Sequence, residues 1–189
     1  MSESNKETAI IIAKIVIISV VAALLLGLTY MPTSAQLKIN EANAKTEILA
    51  GLISDAASFD PVYSDALDEE GNPVILYYRA LDSSGSIIGY AFFQTQTGAQ
   101  GMIVVAGAVD STFSYVFGMD VLSHSETPGL GAKIVNDDFQ SQFIDVPLAS
   151  LSLSKDGGAI DAITGATISS RAVVDALNTK ITEIEGAEE

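Results

Sequence analysis

One apolar run near the start of the chain limits its possible folds more than any other feature. Residues 9–30 contain a single charged side chain, Lys14, in 22 positions. At a rise of about 1.5 Å per residue, a helix of this length matches a hydrocarbon core of about 30 Å. A buried core helix is disfavoured because the run is apolar on every face. We therefore expect residues 1–33 to form a short cytoplasmic tail and a transmembrane anchor.

A cleaved signal peptide is the alternative interpretation of the same run. Lys6 and Lys14 would form its basic region, and residues 32–35 would supply the small side chains of a cleavage site. The apolar stretch at 15–30 slightly exceeds a usual signal-peptide core, which favours a retained anchor. The next basic residue is Lys38, so the charge distribution predicts a cytoplasmic N-terminus and an extracytoplasmic domain.

The rest of the chain is strongly acidic. Residues 31–189 carry 22 acidic and seven basic side chains and account for the whole net charge of −15. A domain of this charge repels nucleic acid and anionic lipid headgroups, so neither is an expected partner. The charge suits a basic protein partner, or it serves only to keep the domain soluble.

Cysteine is absent, and His124 is the only histidine. The missing thiols exclude disulfides, thioether-linked haem, thiolate zinc sites and cysteine-bound iron–sulfur clusters. With one histidine, a haem or a multi-histidine metal site within this chain is also disfavoured. If the protein transfers electrons, an organic cofactor must carry them.

Residues 34–189 predict an α+β domain, with a small antiparallel sheet flanked by helices. Helical spacing predicts a juxtamembrane helix over about 34–54, and an acidic loop is expected at 65–73. A C-terminal helix should bury positions 173 or 174, 177, 181 and 184, with Ser169 or Ser170 as its N-cap. The predicted strands are 74–81, 87–94, 102–109 and 113–122.

The segment 161–167, Asp-Ala-Ile-Thr-Gly-Ala-Thr, comes directly before the C-terminal helix. Gly165 and Ala166 let a ligand approach the backbone closely, and Gly165 permits a strained turn. Thr167 should present its hydroxyl two or three residues ahead of the helix, where N–H groups favour an anion. Taken alone, the pattern is more typical of an ordinary turn followed by a helix N-cap than of a ligand site.

A second segment, 124–133, contains Pro128 and two glycines, Gly129 and Gly131, which favour a rigid turn with free backbone amides. Thr127 adds a hydroxyl, so the loop could hold a planar polar ring. The alternative is an ordinary connection, in which His124 is a surface or capping residue.

Together, these two segments resemble the FMN-binding domain family, and the resemblance extends over nearly the whole chain. That family includes the G subunit of the Rnf electron-transport complex and the C subunit of the sodium-translocating NADH:quinone reductase. The resemblance implies that Thr167 receives FMN as a phosphoester. Asp161 and Gly165 match the signature that a magnesium-dependent flavin transferase recognises with FAD as donor, and Thr164 replaces a common serine. The loop residues implied to contact the flavin are Glu126, Thr127, Gly129, Leu130 and Gly131.

A glycine-rich turn at 98–101 lies where relatives carry a tyrosine that this chain lacks, so its role stays open. The resemblance implies an electron-transfer subunit with covalent FMN in a membrane-bound, ion-translocating Rnf-type complex, with other membrane subunits and the transferase as partners. It implies a redox subunit rather than a complete enzyme.

Three alternatives remain. The chain could be the C-type subunit of a sodium-translocating NADH:quinone reductase, a flavin-bearing domain that serves a separate reductase or signalling protein, or a membrane-anchored extracellular binding module without cofactor.

Overall fold

The computed structural model describes residues 3–68 and 71–188. The chain divides into two compact units, Met1–Ala44 and Lys45–Glu189. Helix α1 spans Glu3–Leu52. The sequence predicted two helical segments with a boundary near residue 33, whereas the backbone continues as one helix through Pro32. Along the part of the chain that the structure describes, no helix has the length and apolar character needed to cross a membrane.

The second unit contains one six-stranded sheet in which every neighbouring pair is antiparallel and the strands follow chain order. This confirms the predicted α+β class. Among the described residues, two further α-helices follow α1: the short α2 at Asp137–Gln140 and α3 at Thr167–Glu188, the latter of 22 residues. The strands are β1 Ser58–Leu67, β2 Pro73–Leu81, β3 Ile87–Thr97, β4 Met102–Asp110, β5 Tyr115–His124 and β6 Val146–Pro147.

The edge strands differ from the sequence-based expectation. Part of the predicted acidic loop, 65–73, belongs to β1 and to the first residue of β2. Strand β1 contains Pro61, which lies opposite Tyr78 of β2. An edge strand tolerates proline because one side of its backbone needs no ladder hydrogen bond. Its sequence therefore lacks the usual signal of a strand.

Helix α3 packs on one face of the sheet and forms the main core with it. The predicted apolar face of α3 is confirmed, since Val173, Val174, Leu177, Ile181 and Ile184 are all buried. They join a core cluster with sheet residues that include Phe92, Ile103 and Val105.

The opposite face of the sheet is covered by the end of α1 that belongs to the second unit. Leu49 and Ile53 are buried there against Ala80, Ala91 and Ala108. Alanine at three neighbouring strands leaves room for a helix to lie close to the sheet. The sheet is thus enclosed on both faces, and the ends of its strands are free to carry the connecting loops.

Candidate functional site

The two segments singled out in the sequence meet at one open cleft of about 350 Å³. One wall comes from the loop that follows β5, with Glu126, Thr127, Leu130 and Gly131. The other comes from the end of the segment 161–167 and the first turn of α3, with residues 165–169, while Ala99 and Gln100 form one end of the cleft. Of the predicted site residues, Gly129, Asp161 and Thr164 do not line the cleft.

Glu126 joins the three segments around the cleft. Its side chain is buried, and Oε2 accepts a hydrogen bond from the Ser169 hydroxyl at 2.6 Å. Oε1 accepts one from the backbone N–H of Gln100 at 3.0 Å. The Glu126 carboxylate thus connects the loop to α3 and to the turn between β3 and β4.

The ionised form of Glu126 is stabilised despite its burial. Burial alone would raise its pKa, but hydrogen bonds from the Ser169 hydroxyl and from the backbone N–H groups of Gln100, Ala99 and Gly101 outweigh that effect. The pKa of Glu126 is therefore held below its ordinary value. The charge is compensated by donors of the site itself.

Two glycines give the Glu126 carboxylate its space. A Cβ atom added at Gly98 would collide with Oε1 of Glu126, and one added at Gly131 would collide with Oε2 and with the Ser169 hydroxyl. The turn at 98–101, whose role the sequence left open, is closed by a hydrogen bond from the N–H of Gly98 to the carbonyl oxygen of Gly101 at 2.7 Å. Its structural role here is to supply donors to Glu126. A glycine at each end was the only sequence signal for it.

The loop after β5 is a compact turn. Just before it, His124 at the end of β5 accepts a hydrogen bond at Nδ1 from the backbone N–H of Glu126 at 3.2 Å. The carbonyl oxygen of Thr127 accepts from the N–H groups of Leu130 and Ala132, and Gly129 has a φ of +77°. Leu130 is 47% exposed, and its Cδ2 lies 3.4 Å from the position of a Cβ on Gly165. The two sequence segments therefore lie next to each other, and a side chain at position 165 would contact Leu130.

Helix α3 begins earlier than the sequence predicted. Thr167 is its first residue, so the expectation that Thr167 precedes the helix, with Ser169 or Ser170 as N-cap, is wrong. Both serines lie buried in the first turn. Their hydroxyls bind other groups: Ser169 donates to Glu126, while Ser170 accepts from the N–H of Ile163 at 3.0 Å.

The first turn of α3 suits an anionic group. It contains no acidic residue, and Thr167 is half-buried on the wall of the cleft. Unpaired N–H groups at a helix start and the helix dipole favour a phosphate there. Gly165, with a φ of +80°, is exposed, and the small residue Ala166 also lines the cleft. The residues present therefore fit a phosphate ester at Thr167 beside a ring held in the cleft.

Comparison with known proteins identifies the domain that contains this cleft. The model of the FMN-binding domain family matches residues 98–182, which include every segment around the cleft. The chain is 50% identical, over the full length of both proteins, to the G subunit of the ion-translocating oxidoreductase complex of Methanosarcina acetivorans. It is 31% identical to the G subunit of the Na(+)-translocating ferredoxin:NAD(+) oxidoreductase complex of Acetobacterium woodii, over 87% of this chain and 86% of that one.

Among solved structures, NqrC of Shewanella oneidensis aligns with a TM-score of 0.48 and 21% identity, over 70% of this chain and 73% of that chain. The chain and the Methanosarcina protein are 50% identical along the whole of both sequences. This identity is higher than a shared fold alone would give. The chain therefore belongs to the family of ion-translocating oxidoreductase complex G subunits and carries an FMN-binding domain.

Proposed function

We propose that this chain is the electron-transfer subunit of an Rnf-type ion-translocating complex and that it holds FMN covalently, through the phosphate, on Thr167. The observation that carries the proposal is the cleft itself. Residues from two distant segments line it together, and the Thr167 hydroxyl lies on its wall at the start of α3.

The attachment is a phosphoryl transfer catalysed by a separate flavin transferase with FAD as donor. The Thr167 hydroxyl oxygen forms the new bond to the phosphorus of the FMN half, and the pyrophosphate bond of FAD breaks. AMP leaves, the hydroxyl proton is released, and no group is oxidised or reduced. The resulting phosphate negative charge is favoured by the N–H groups of the first turn of α3.

Bound FMN would supply a centre that accepts and releases one or two electrons. The chain supplies position and environment. The Thr127 hydroxyl and the backbone of the loop after β5 would contact the ring system, with Leu130 and Gly131 beside them. Glu126 would hold this loop against α3. Covalent attachment keeps the cofactor from being lost outside the cytoplasm.

For the N-terminal run we propose the role of a membrane anchor. Every side chain in residues 10–26 is exposed, and large apolar side chains such as Ile18 and Leu26 are 68% and 71% exposed. Contact with lipid would remove this apolar surface from water. The N-terminus would then be cytoplasmic and the acidic domain extracytoplasmic, next to other membrane subunits of the complex.

Intact mass spectrometry of the full chain, produced together with its transferase, tests the attachment site. We expect the wild-type mass to increase by one FMN moiety, and Thr167→Ala to show no increase and no fluorescent band on a denaturing gel. Thr164→Ala is the matched control, since it removes another hydroxyl of the same segment and should weaken labelling without abolishing it. A folded Thr167→Ala chain with one covalent FMN would contradict the proposed site.

A further inference from the structure

The start of the acceptor segment, residues 161–166, is bound by a side chain 19 residues earlier in the chain. Gln142 lies in the 3-10 turn Ser141–Phe143. The backbone N–H of Asp161 donates to Oε1 of Gln142 at 2.7 Å. In return, Nε2 of Gln142 donates to the carbonyl oxygen of Asp161 at 3.4 Å. One amide side chain therefore binds both polar backbone groups of Asp161.

The turn that carries Gln142 is fixed by buried aromatic side chains. Phe139 and Phe143 are 3% and 0% exposed, and their rings pack edge to face with 5.3 Å between centroids. Nε2 of Gln142 also donates to the carbonyl oxygen of Asp138 at 3.4 Å. Because close-packed aromatic residues order the turn, the core sets the position of the Gln142 amide.

Ser170 holds the other end of the acceptor segment. Its hydroxyl accepts from the N–H of Ile163 and donates to the carbonyl oxygen of Ala166, both at 3.0 Å. Asp161 is exposed and Thr164 is not fully buried. The backbone is thus held at two points while two side chains of the segment remain accessible to another protein.

We propose that Gln142 is a positioning residue for FMN attachment, an inference that rests on the function proposed above. The transferase must bind the acceptor segment in one conformation, and a segment already held in that conformation loses less entropy on binding. Gln142 acts through the backbone of Asp161 and does not take part in the phosphoryl transfer. Its loss should weaken binding of the chain to the transferase and leave the chemical step unchanged.

The test uses the full chain, produced without flavin and incubated with the transferase, FAD and Mg²⁺ while covalent fluorescence is followed. Gln142→Met removes both hydrogen-bonding groups at similar side-chain length. We expect kcat/KM for the chain to fall about tenfold, the ratio that corresponds to one net hydrogen bond. The fall should come from a higher KM for the chain, with kcat and the KM for FAD unchanged.

A control variant separates positioning from general destabilisation. Gln140→Met is the matched control, because Gln140 donates to the side chain of Asp120 at 2.9 Å and lies two residues away. It should retain wild-type kinetics.

A folded Gln142→Met chain with wild-type kcat/KM would overturn the proposal, as would a fall that appears in kcat and not in the KM for the chain. If Gln142→Met does not fold, hydrogen exchange of the wild-type chain decides. A protected Asp161 amide supports the proposal, and exchange at the rate of an unstructured peptide overturns it. A wild-type chain that takes up no covalent flavin contradicts the proposed function instead, whatever the Gln142 variants do.

Discussion

Glu126 carries a negative charge where three segments of the chain meet, and the two neighbouring segments each contribute a donor to it. The Ser169 hydroxyl comes from α3, the Gln100 N–H comes from the turn between β3 and β4, and Glu126 itself lies in the loop after β5. A buried carboxylate is favourable only when such donors compensate for lost hydration. We infer that the ionised form of Glu126 keeps the cleft assembled.

This role predicts an acid-sensitive contribution to stability. Because the pKa of Glu126 is lower in the folded than in the unfolded chain, its contribution is present above the unfolded-state pKa. It is lost as the pH falls through the lower, folded-state pKa. Glu126→Gln should therefore lower the free energy of unfolding by about 1–3 kcal/mol at pH 7, with a smaller difference from wild type at about pH 3. Thermal denaturation across this range measures both.

Glu185→Gln is the control for the Glu126 prediction. Glu185 is an exposed residue of α3, so its replacement removes the same formal charge without opening a buried site. We expect it to change the free energy of unfolding by less than about 0.5 kcal/mol. An unfolding free energy of Glu126→Gln that falls as steeply with acid as that of wild type would contradict the assigned role.

At the scale of elements, the distance between α3 and the sheet is set by a glycine in β4. A Cβ atom added at Gly107 would collide with Cδ2 of Leu177 and lie 2.7 Å from Cζ of Phe92. Leu177 and Phe92 are fully buried, so neither has free space to move into. Because Gly107 has no side chain, α3 can pack close to the sheet. Gly107 therefore helps to set the position of α3 and of Thr167 in its first turn.

Gly107→Ala should consequently destabilise the domain by about 1–3 kcal/mol, the usual cost of overpacking a core. Urea unfolding of the full chain in detergent measures this loss. Gly118→Ala in β5 is the matched control, because its added Cβ would lie at an ordinary 3.5 Å from Leu52. If the two variants unfold at the same urea concentration, close packing at Gly107 does not set the position of α3.

The elements that sequence could predict are those with a regular apolar period. The buried face of α3 and the four central strands have it, and the structure contains them. Strand β1 lacks it because an edge strand tolerates Pro61 and solvent-exposed acidic residues. Strand β6 has only two residues, so no period exists to detect.

Residues of the candidate site could be predicted where a short sequence motif contains them. They could not be predicted where the arrangement depends on contacts between residues far apart in the sequence. Thr167 and Thr127 are visible as local motifs. The burial of Glu126 depends on Ser169, 43 residues away, and the contact from Gln142 to Asp161 spans 19 residues. Ser169 and Ser170 resemble helix caps in sequence, but their hydroxyls satisfy other partners. Only the folded chain brings these partners together.

For the molecule as a whole, the composition favours an organic cofactor and a basic partner surface. The chain has no cysteine and one histidine, so its side chains offer little else that could hold a redox centre. The net charge of −15 lies entirely beyond residue 30. Such a domain would associate fastest with a basic surface of a neighbouring subunit.

The proposed topology can be tested with a single introduced thiol, because the native chain contains none. Ser83 is exposed in the turn between β2 and β3. In intact cells, we expect Ser83→Cys to react with a membrane-impermeant maleimide, since residues 34–189 are proposed to be extracytoplasmic. Ser4→Cys, in the proposed cytoplasmic tail, is the control and should react only after permeabilisation. The reverse pattern would contradict the orientation, and a mature Ser4→Cys chain that has lost its first 30 or so residues would identify a cleaved signal peptide.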